Sequence, residues 1–217
     1  MIFRRIAAAF ALTTSLSSCT VSTPDPAPGQ SPTDQPQAGP STLSLRWSGE
    51  PDGARWTALA MAAAQDHGLD QIVPQDIADW CPGYAAAGPA DRRAFWAGLM
   101  STLAKYESNF RPEVEFTENF PDSTGALVVS RGLLQLSRES ARGYGCPITT
   151  GEDLHDPAVN LDCSARILKH WAVKDGQISS NQSPWKGAAR YWSPFRSTEK
   201  RADMAGWTRT QPFCSTG

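Results

Sequence analysis

The chain is short of charge, and what it has nearly cancels: 20 Lys and Arg face 22 Asp and Glu among 217 residues, for a net charge of -2. There is no basic excess to neutralise a phosphate backbone, which excludes a nucleic-acid binder. No apolar run approaches the roughly 18 residues that a spanning helix needs, which excludes a polytopic membrane protein. Histidine is scarce. His67, His155 and His170 lack metal-ligand spacing with one another or with carboxylates, so neither a metal nor a cofactor is expected. No Gly-rich phosphate loop, Ser-His-Asp arrangement or internal repeat is present, and strand-like alternation is nearly missing. The 17 Pro and 17 Gly are spread unevenly, so the ordered part is shorter than the chain, and one domain of about 170 residues is expected.

The N-terminal residues read as an export signal. Arg4 and Arg5 supply the positive region, and Ile6 to Leu16 is an apolar stretch too short to span a bilayer. Leu16-Ser17-Ser18-Cys19 resembles the lipobox of bacterial lipoproteins, which implies a signal peptide over 1–18 and lipidation of Cys19. An ordinary signal peptide with a chance cysteine is the other reading. Thr20 rather than Asp follows Cys19, and in that family this implies the outer rather than the inner membrane. From Thr20 to Thr42 there is no Lys, Arg or aromatic residue, while Pro24, Pro26, Pro28, Pro32, Pro36 and Pro40 recur among small polar residues. Such a segment cannot offset its ordering entropy by burial and acts as an extended spacer. Residues 19–45 are therefore expected to be a tether and 46–217 the folded domain, held in the periplasm by its lipid.

Without Arg4 and Arg5 the mature chain has 18 basic against 22 acidic residues, which disfavours a polyanionic ligand. With Cys19 committed to lipid, Cys81, Cys146, Cys163 and Cys214 remain, an even number in an exported protein and the makings of two disulfides. Three pairings are possible. The local loop favours Cys146–Cys163, and Cys81–Cys214 would then tie the C-terminus to the body.

Helical periodicity is clear over Trp56–Asp66, Asp91–Phe110, Leu133–Tyr144 and Pro157–Lys174. In the second run Phe95, Leu99, Leu103, Tyr106 and Phe110 recur at spacings of four and three, and Pro112 forces an end near Arg111. This is the expected central helix. Pro112–Ser130 is polar and broken by Pro121 and Gly125, with the apolar pair Val128-Val129, so it reads as a long loop with a small hairpin. Asp156 before Pro157 suits an N-cap. The fold class is mainly α, with an α+β element after the central helix.

Glu107 lies about 20 to 40 degrees around that helix from Met100 and Leu103, so it points with the apolar stripe. Desolvation and the negative end of the helix dipole both raise its pKa. A carboxyl kept protonated near neutral pH is what a general acid needs. The helix alone equally allows a boundary glutamate paired with Lys105 or Arg111.

The residues around Glu107 carry a resemblance. Tyr106-Glu107-Ser108-Asn109-Phe110-Arg111-Pro112, then Ser130-Arg131-Gly132-Leu133-Leu134-Gln135-Leu136-Ser137, then Asp153-Leu154-His155-Asp156-Pro157-Ala158-Val159-Asn160-Leu161 and finally Ala189-Arg190-Tyr191-Trp192 follow one another. In this order they resemble the soluble lytic transglycosylase and goose-type lysozyme superfamily, with Leu134 where methionine is usual. The resemblance implies a lysozyme-like helical domain. It also implies Glu107 as catalytic acid, Ser108 steadying the helix end, Gln135 lining the cleft and Tyr191 hydrogen-bonding the acid. Asn160 and Asp156 read as structural. Trp192, beside Tyr191, is the tryptophan expected to stack on sugar.

The family has two outcomes. A two-carboxylate glycosidase needs a second acid across the scissile bond, whereas a lytic transglycosylase lets the substrate's C6 hydroxyl attack and leaves a 1,6-anhydro end. Goose-type lysozymes carry an aspartate two residues beyond the turn glutamine. Here Ser137 stands there, which favours the transglycosylase. The interval from Glu107 to Gln135 is long, however, and its extra residues include Glu115, Glu118 and Asp122, with Glu118 and Asp122 the better candidates for a second carboxylate. The expected activity is cleavage of the MurNAc-β-1,4-GlcNAc bond of peptidoglycan glycan strands by a monomer. A non-catalytic wall-binding lipoprotein is the rival of a different class.

Overall fold

The computed structural model describes residues 43–215. The expected signal peptide, Cys19 and most of the tether lie outside them. Leu45 is 3% exposed and Leu43 packs against the core, so the ordered domain begins ahead of residue 46.

The centre of the domain is α3 (Pro89–Glu107), in which every residue from Ala94 to Ala104 is buried. This is more than a one-sided stripe. Ser101 and Thr102 are tolerated inside it because their hydroxyls donate to the carbonyls of Gly98 and Leu99, each at 2.7 Å. Against it pack α1 (Gly53–Asp66) and α6 (Thr198–Arg209), with α5 (Pro157–Asp175) lying on α1 and the short α2 (Ile77–Trp80) on α6. The helix stops at Glu107, four residues before the expected end. Asn109 and Phe110 both take positive φ, 50° and 62°, a strained pair that turns the chain away before Pro112 is reached. Ser108 bridges the break, its hydroxyl donating to the Ala104 carbonyl and accepting from the Arg111 amide, both at 3.3 Å.

The segment read as a long loop with a small hairpin does form a hairpin, longer than expected. β1 (Glu115–Pro121) pairs antiparallel with β2 (Leu127–Arg131), and β2 with β3 (Leu136–Ser137). Phe116 faces Ser130 and Pro121 faces Leu127, with a register shift between them. The helix expected over Leu133–Tyr144 is correspondingly short: a tight turn and β3 come first, then α4 (Arg138–Gly143). A further two-stranded pair, β4 (Ser179–Ser180) with β5 (Lys186–Gly187), follows α5. The class is mainly helical α+β, as expected.

Asn160, fully buried on α5, fixes the turn. Its Oδ1 accepts from the Leu134 amide at 2.9 Å, and its Nδ2 donates to the carbonyls of Arg131 at 3.0 Å and Leu154 at 2.9 Å. Gly132 has φ +78°, and a Cβ there would stand 2.1 Å from the Leu154 carbonyl oxygen, so only glycine fits. Asp156 caps α5, accepting from the Ala158 amide at 2.9 Å. Two disulfides close the structure, Cys81–Cys214 and Cys146–Cys163, the pairing the sequence favoured. Each contributes roughly 2 to 4 kcal/mol.

Asn160→Ala strands one amide and two carbonyls in the interior and is expected to lower stability by about 3 kcal/mol. Urea unfolding checks this, and a loss below about 1 kcal/mol would show that the turn holds without the amide.

Candidate functional site

A cleft of about 620 Å³ runs between the β1–β2 hairpin on one side and the 3₁₀ turns Ala188–Arg190 and Ser193–Phe195 on the other. Its lining includes Glu107, Glu118, Gln135, Ser137, Tyr191 and Arg196.

Glu107 ends α3 and is partly exposed, as a group facing a cleft must be. Among the described residues it has no hydrogen bond and no ion pair. Lys105 is drawn instead to Asp203 at 3.6 Å, and Arg111 turns back onto the Ser108 carbonyl. Asp203, on α6, also accepts from the Tyr106 hydroxyl at 2.7 Å and is clasped by Arg46, which holds its carboxyl well below the usual range. Burial pushes the Glu107 carboxyl up to about 8, and nearby Glu118 pushes the same way. Lys200 and Arg196 oppose this without cancelling it. The carboxyl is therefore protonated at neutral pH.

Glu118 enters the cleft from the opposite wall. Residues 116, 118 and 120 alternate on β1 and so share one strand face. All three line the cleft. The Ser130 hydroxyl donates to Glu118 Oε1 at 3.0 Å and fixes the side chain. Phe116 and Phe120, 62% and 51% exposed, stand on either side of it along the strand. Asp122 does not belong here. Its Oδ1 accepts from the Thr124 hydroxyl at 2.6 Å and from the amides of Thr124 at 2.8 Å and Ala126 at 3.1 Å, which lowers its pKa and makes it the organiser of the hairpin turn.

The other expected residues sort differently. Gln135, with φ +47°, lines the cleft, but its Nε2 is spent on the carbonyls of Gly132 at 2.9 Å and Val114 at 3.1 Å, so the amide shapes the turn. Ser137 caps α4, its Oγ accepting from the Ser140 amide at 3.3 Å. Tyr191 makes no hydrogen bond with Glu107. Its hydroxyl is turned to Ser140 and the Ser137 backbone, and burial pushes its pKa up to about 12. Trp192 is 2% exposed and donates its indole N–H to the Leu134 carbonyl at 2.9 Å, so it braces the turn and offers no open stacking face.

Sequence reasoning passed over Phe116, Phe120 and Arg196. The first two were signalled by the alternation Phe116, Glu118, Phe120, which is a strand pattern inside a stretch otherwise polar. Arg196 had no such signal. Glu115, Glu152 and His155 come together away from the cleft, but Arg131 sits among them at 3.2 Å from both carboxylates, and the group is an ion-pair network.

No protein-family model and no curated protein matches the chain. Solved structures do. Wild-type Bd0314 DslA, a Bdellovibrio protein, is 36% identical with a TM-score of 0.74, over 79% of this chain and 98% of that one. A glutamate-to-glutamine variant of the same protein is 37% identical with a TM-score of 0.75, over 79% and 97%. A second such variant is 36% identical with a TM-score of 0.73, and its altered glutamate lies eleven positions from that of the first. With more than a third of positions shared along nearly the whole of that protein, the chain belongs to the DslA family.

Proposed function

We propose that this protein is a member of the lytic transglycosylase and goose-type lysozyme superfamily that cleaves the β-1,4 bond between N-acetylmuramic acid and N-acetylglucosamine in peptidoglycan. The observation that carries the reading is Glu107: a desolvated carboxyl without a partner among the described residues, on the wall of an open cleft that a second carboxylate enters from the other side. Kept protonated, it donates to the glycosidic oxygen as the bond to the anomeric carbon breaks. Phe116 and Phe120 offer apolar faces to sugar rings on either side of the reacting bond.

Of the two outcomes that the sequence leaves open, Glu118 favours hydrolysis. It shares the cleft with Glu107, and the Ser130 hydroxyl fixes its carboxylate. The interval between Glu107 and Glu118 is eleven residues, the interval between the two glutamates exchanged for glutamine in DslA. Glu118 takes a proton from water as its oxygen joins the anomeric carbon, and Glu107 supplies the proton that leaves with the departing sugar. In the alternative the substrate's C6 hydroxyl takes the place of water and the product is a 1,6-anhydro sugar.

The export reading fits this target. The two disulfides suit an oxidising compartment, and a lipid on Cys19 would hold the enzyme at the membrane within reach of the wall. Labelled palmitate is expected to enter the wild type and not Cys19→Ser; no incorporation in the wild type refutes the anchor.

Digestion of peptidoglycan sacculi followed by mass spectrometry tests the chemistry. Glu107→Gln is expected to cut the release of soluble fragments by a factor of ~10²–10⁴. Glu118→Gln is expected to lose at least ~10²-fold, and Asp122→Asn to keep wild-type turnover. Products with reducing ends support hydrolysis; anhydro products with Glu118→Gln still active would return the protein to transglycosylation. Full release by Glu107→Gln sinks the enzymatic reading.

Activity is also expected to fall as pH rises through about 8, where Glu107 loses its proton. Stability follows the same group. Its folded pKa of about 8 lies above the ordinary 4.5, so between these values the native protein holds a proton that the unfolded chain has released, and stability present at low pH is lost as pH rises through that window. Glu107→Gln is expected to melt above the wild type by a gap that widens from about pH 5 to pH 8.5. A constant gap would contradict a desolvated carboxyl.

A further inference from the structure

Arg196 is a cation for which the proposed mechanism has no use. It lines the cleft with Glu107, follows the turn Ser193–Phe195, and has no carboxylate within ion-pair distance among the described residues. Arg190, by contrast, is neutralised by Asp175 through contacts of 2.7 and 3.1 Å. The Arg196 guanidinium is held rigidly. Nε donates to the Ala189 carbonyl at 2.8 Å, and Nη2 to those of Arg190 at 3.2 Å and Tyr191 at 3.5 Å. Its Cζ lies 3.9 Å from the ring centroid of Trp185, itself 43% exposed. Nη1 is left without a protein acceptor among the described residues. Burial costs this charge solvation and lowers its pKa, which a purely structural arginine would offset with a carboxylate.

The rest of the cleft carries the opposite sign. Glu118 and Glu139 lie along its lining, and Arg190 there is already paired with Asp175. An anionic substituent on a bound glycan is repelled from the acidic side, and Arg196 is the cation of that lining without a carboxylate partner among the described residues. A guanidinium with fixed donors is suited to a carboxylate.

We propose that Arg196 binds a carboxylate carried on the 3-O-lactyl substituent of the substrate's muramic acid, either the lactyl acid itself or the peptide that extends from it. Trp185 is the wall against which that substituent lies. The inference rests on the glycan-cleaving reading above and adds to it an orientation: the substituted sugar sits toward the Ser193–Phe195 turn.

Calorimetric titration of the inactive Glu107→Gln full chain tests it with four tetrasaccharides. These are peptide-bearing glycan, the same glycan with its peptide carboxyls amidated, peptide-free glycan with free lactyl acids, and chitotetraose as the uncharged reference. At least one carboxylate ligand is expected to bind about tenfold or more tighter than chitotetraose. Adding Arg196→Gln is expected to erase that advantage while leaving chitotetraose affinity within about twofold, and Arg196→Lys to keep part of it. Loss of affinity on amidation assigns the contact to the peptide; equally tight binding of the peptide-free glycan assigns it to the lactyl acid. Equal affinity for all four ligands overturns the proposal, as does an equal loss for all four on Arg196→Gln. Because amidation changes the ligand and not the protein, misfolding of the variant cannot mimic the result. Cleavage of sacculi by the wild type without any carboxylate preference defeats this inference alone. A carboxylate preference without cleavage defeats the enzymatic reading alone.

Discussion

The side-chain amide of Asn160 is the tie on which the cleft depends. One oxygen and one nitrogen satisfy three backbone groups from segments far apart in sequence, at Leu134, Arg131 and Leu154. Those groups are the two ends of the turn after β2 and the approach to α5. With the turn held, Gln135 and β3 fall into place, and Trp192 closes the turn from the other wall through the Leu134 carbonyl. A buried amide that satisfies several backbone groups in this way is strong because none of them has water as an alternative. The two walls of the cleft thus meet at one short turn.

Against this rigid frame stands a group that the fold would be better without. α3 is buried from Ala94 to Ala104 and ends in a carboxyl that desolvation makes costly to ionise. Its neighbours are steered elsewhere. Lys105 and Tyr106 are both taken up by Asp203, which Arg46 also clasps. The two residues with positive φ just beyond, Asn109 and Phe110, add conformational strain at the same place. Concentrated cost of this kind, within four residues of one helix end, is how a site differs from a core.

Most of this was legible in the residues, and the parts that were not share a cause. Helices α1, α3 and α5 have apolar spacing that local periodicity records, and Asp156 and Pro157 mark the start of α5 chemically. That there are two disulfides follows from parity, and loop length favoured the pairing found among three that parity allows. The hairpin was harder to see. Every residue of β1 but the half-buried Glu118 is exposed, so there is no buried face to print the usual alternation of apolar and polar positions. Tyr191 and Trp192 show a second limit: position in a motif names a neighbourhood, and the hydroxyl direction and the indole's burial depend on what the rest of the chain leaves open. Arg196 shows a third, since its interest lies in a carboxylate that is not nearby.

The exposure of β1 has a consequence for how this architecture diversifies. The strand contributes Phe116, Glu118 and Phe120 to the cleft yet buries almost nothing in the core, while the acid stands on the most buried helix of the domain. Surface positions of this kind tolerate exchange at little thermodynamic cost. The two carboxyls of the cleft therefore stand on parts of unequal evolutionary freedom: Glu118 on a seven-residue ribbon that is free to drift, Glu107 at a helix end that packing holds still.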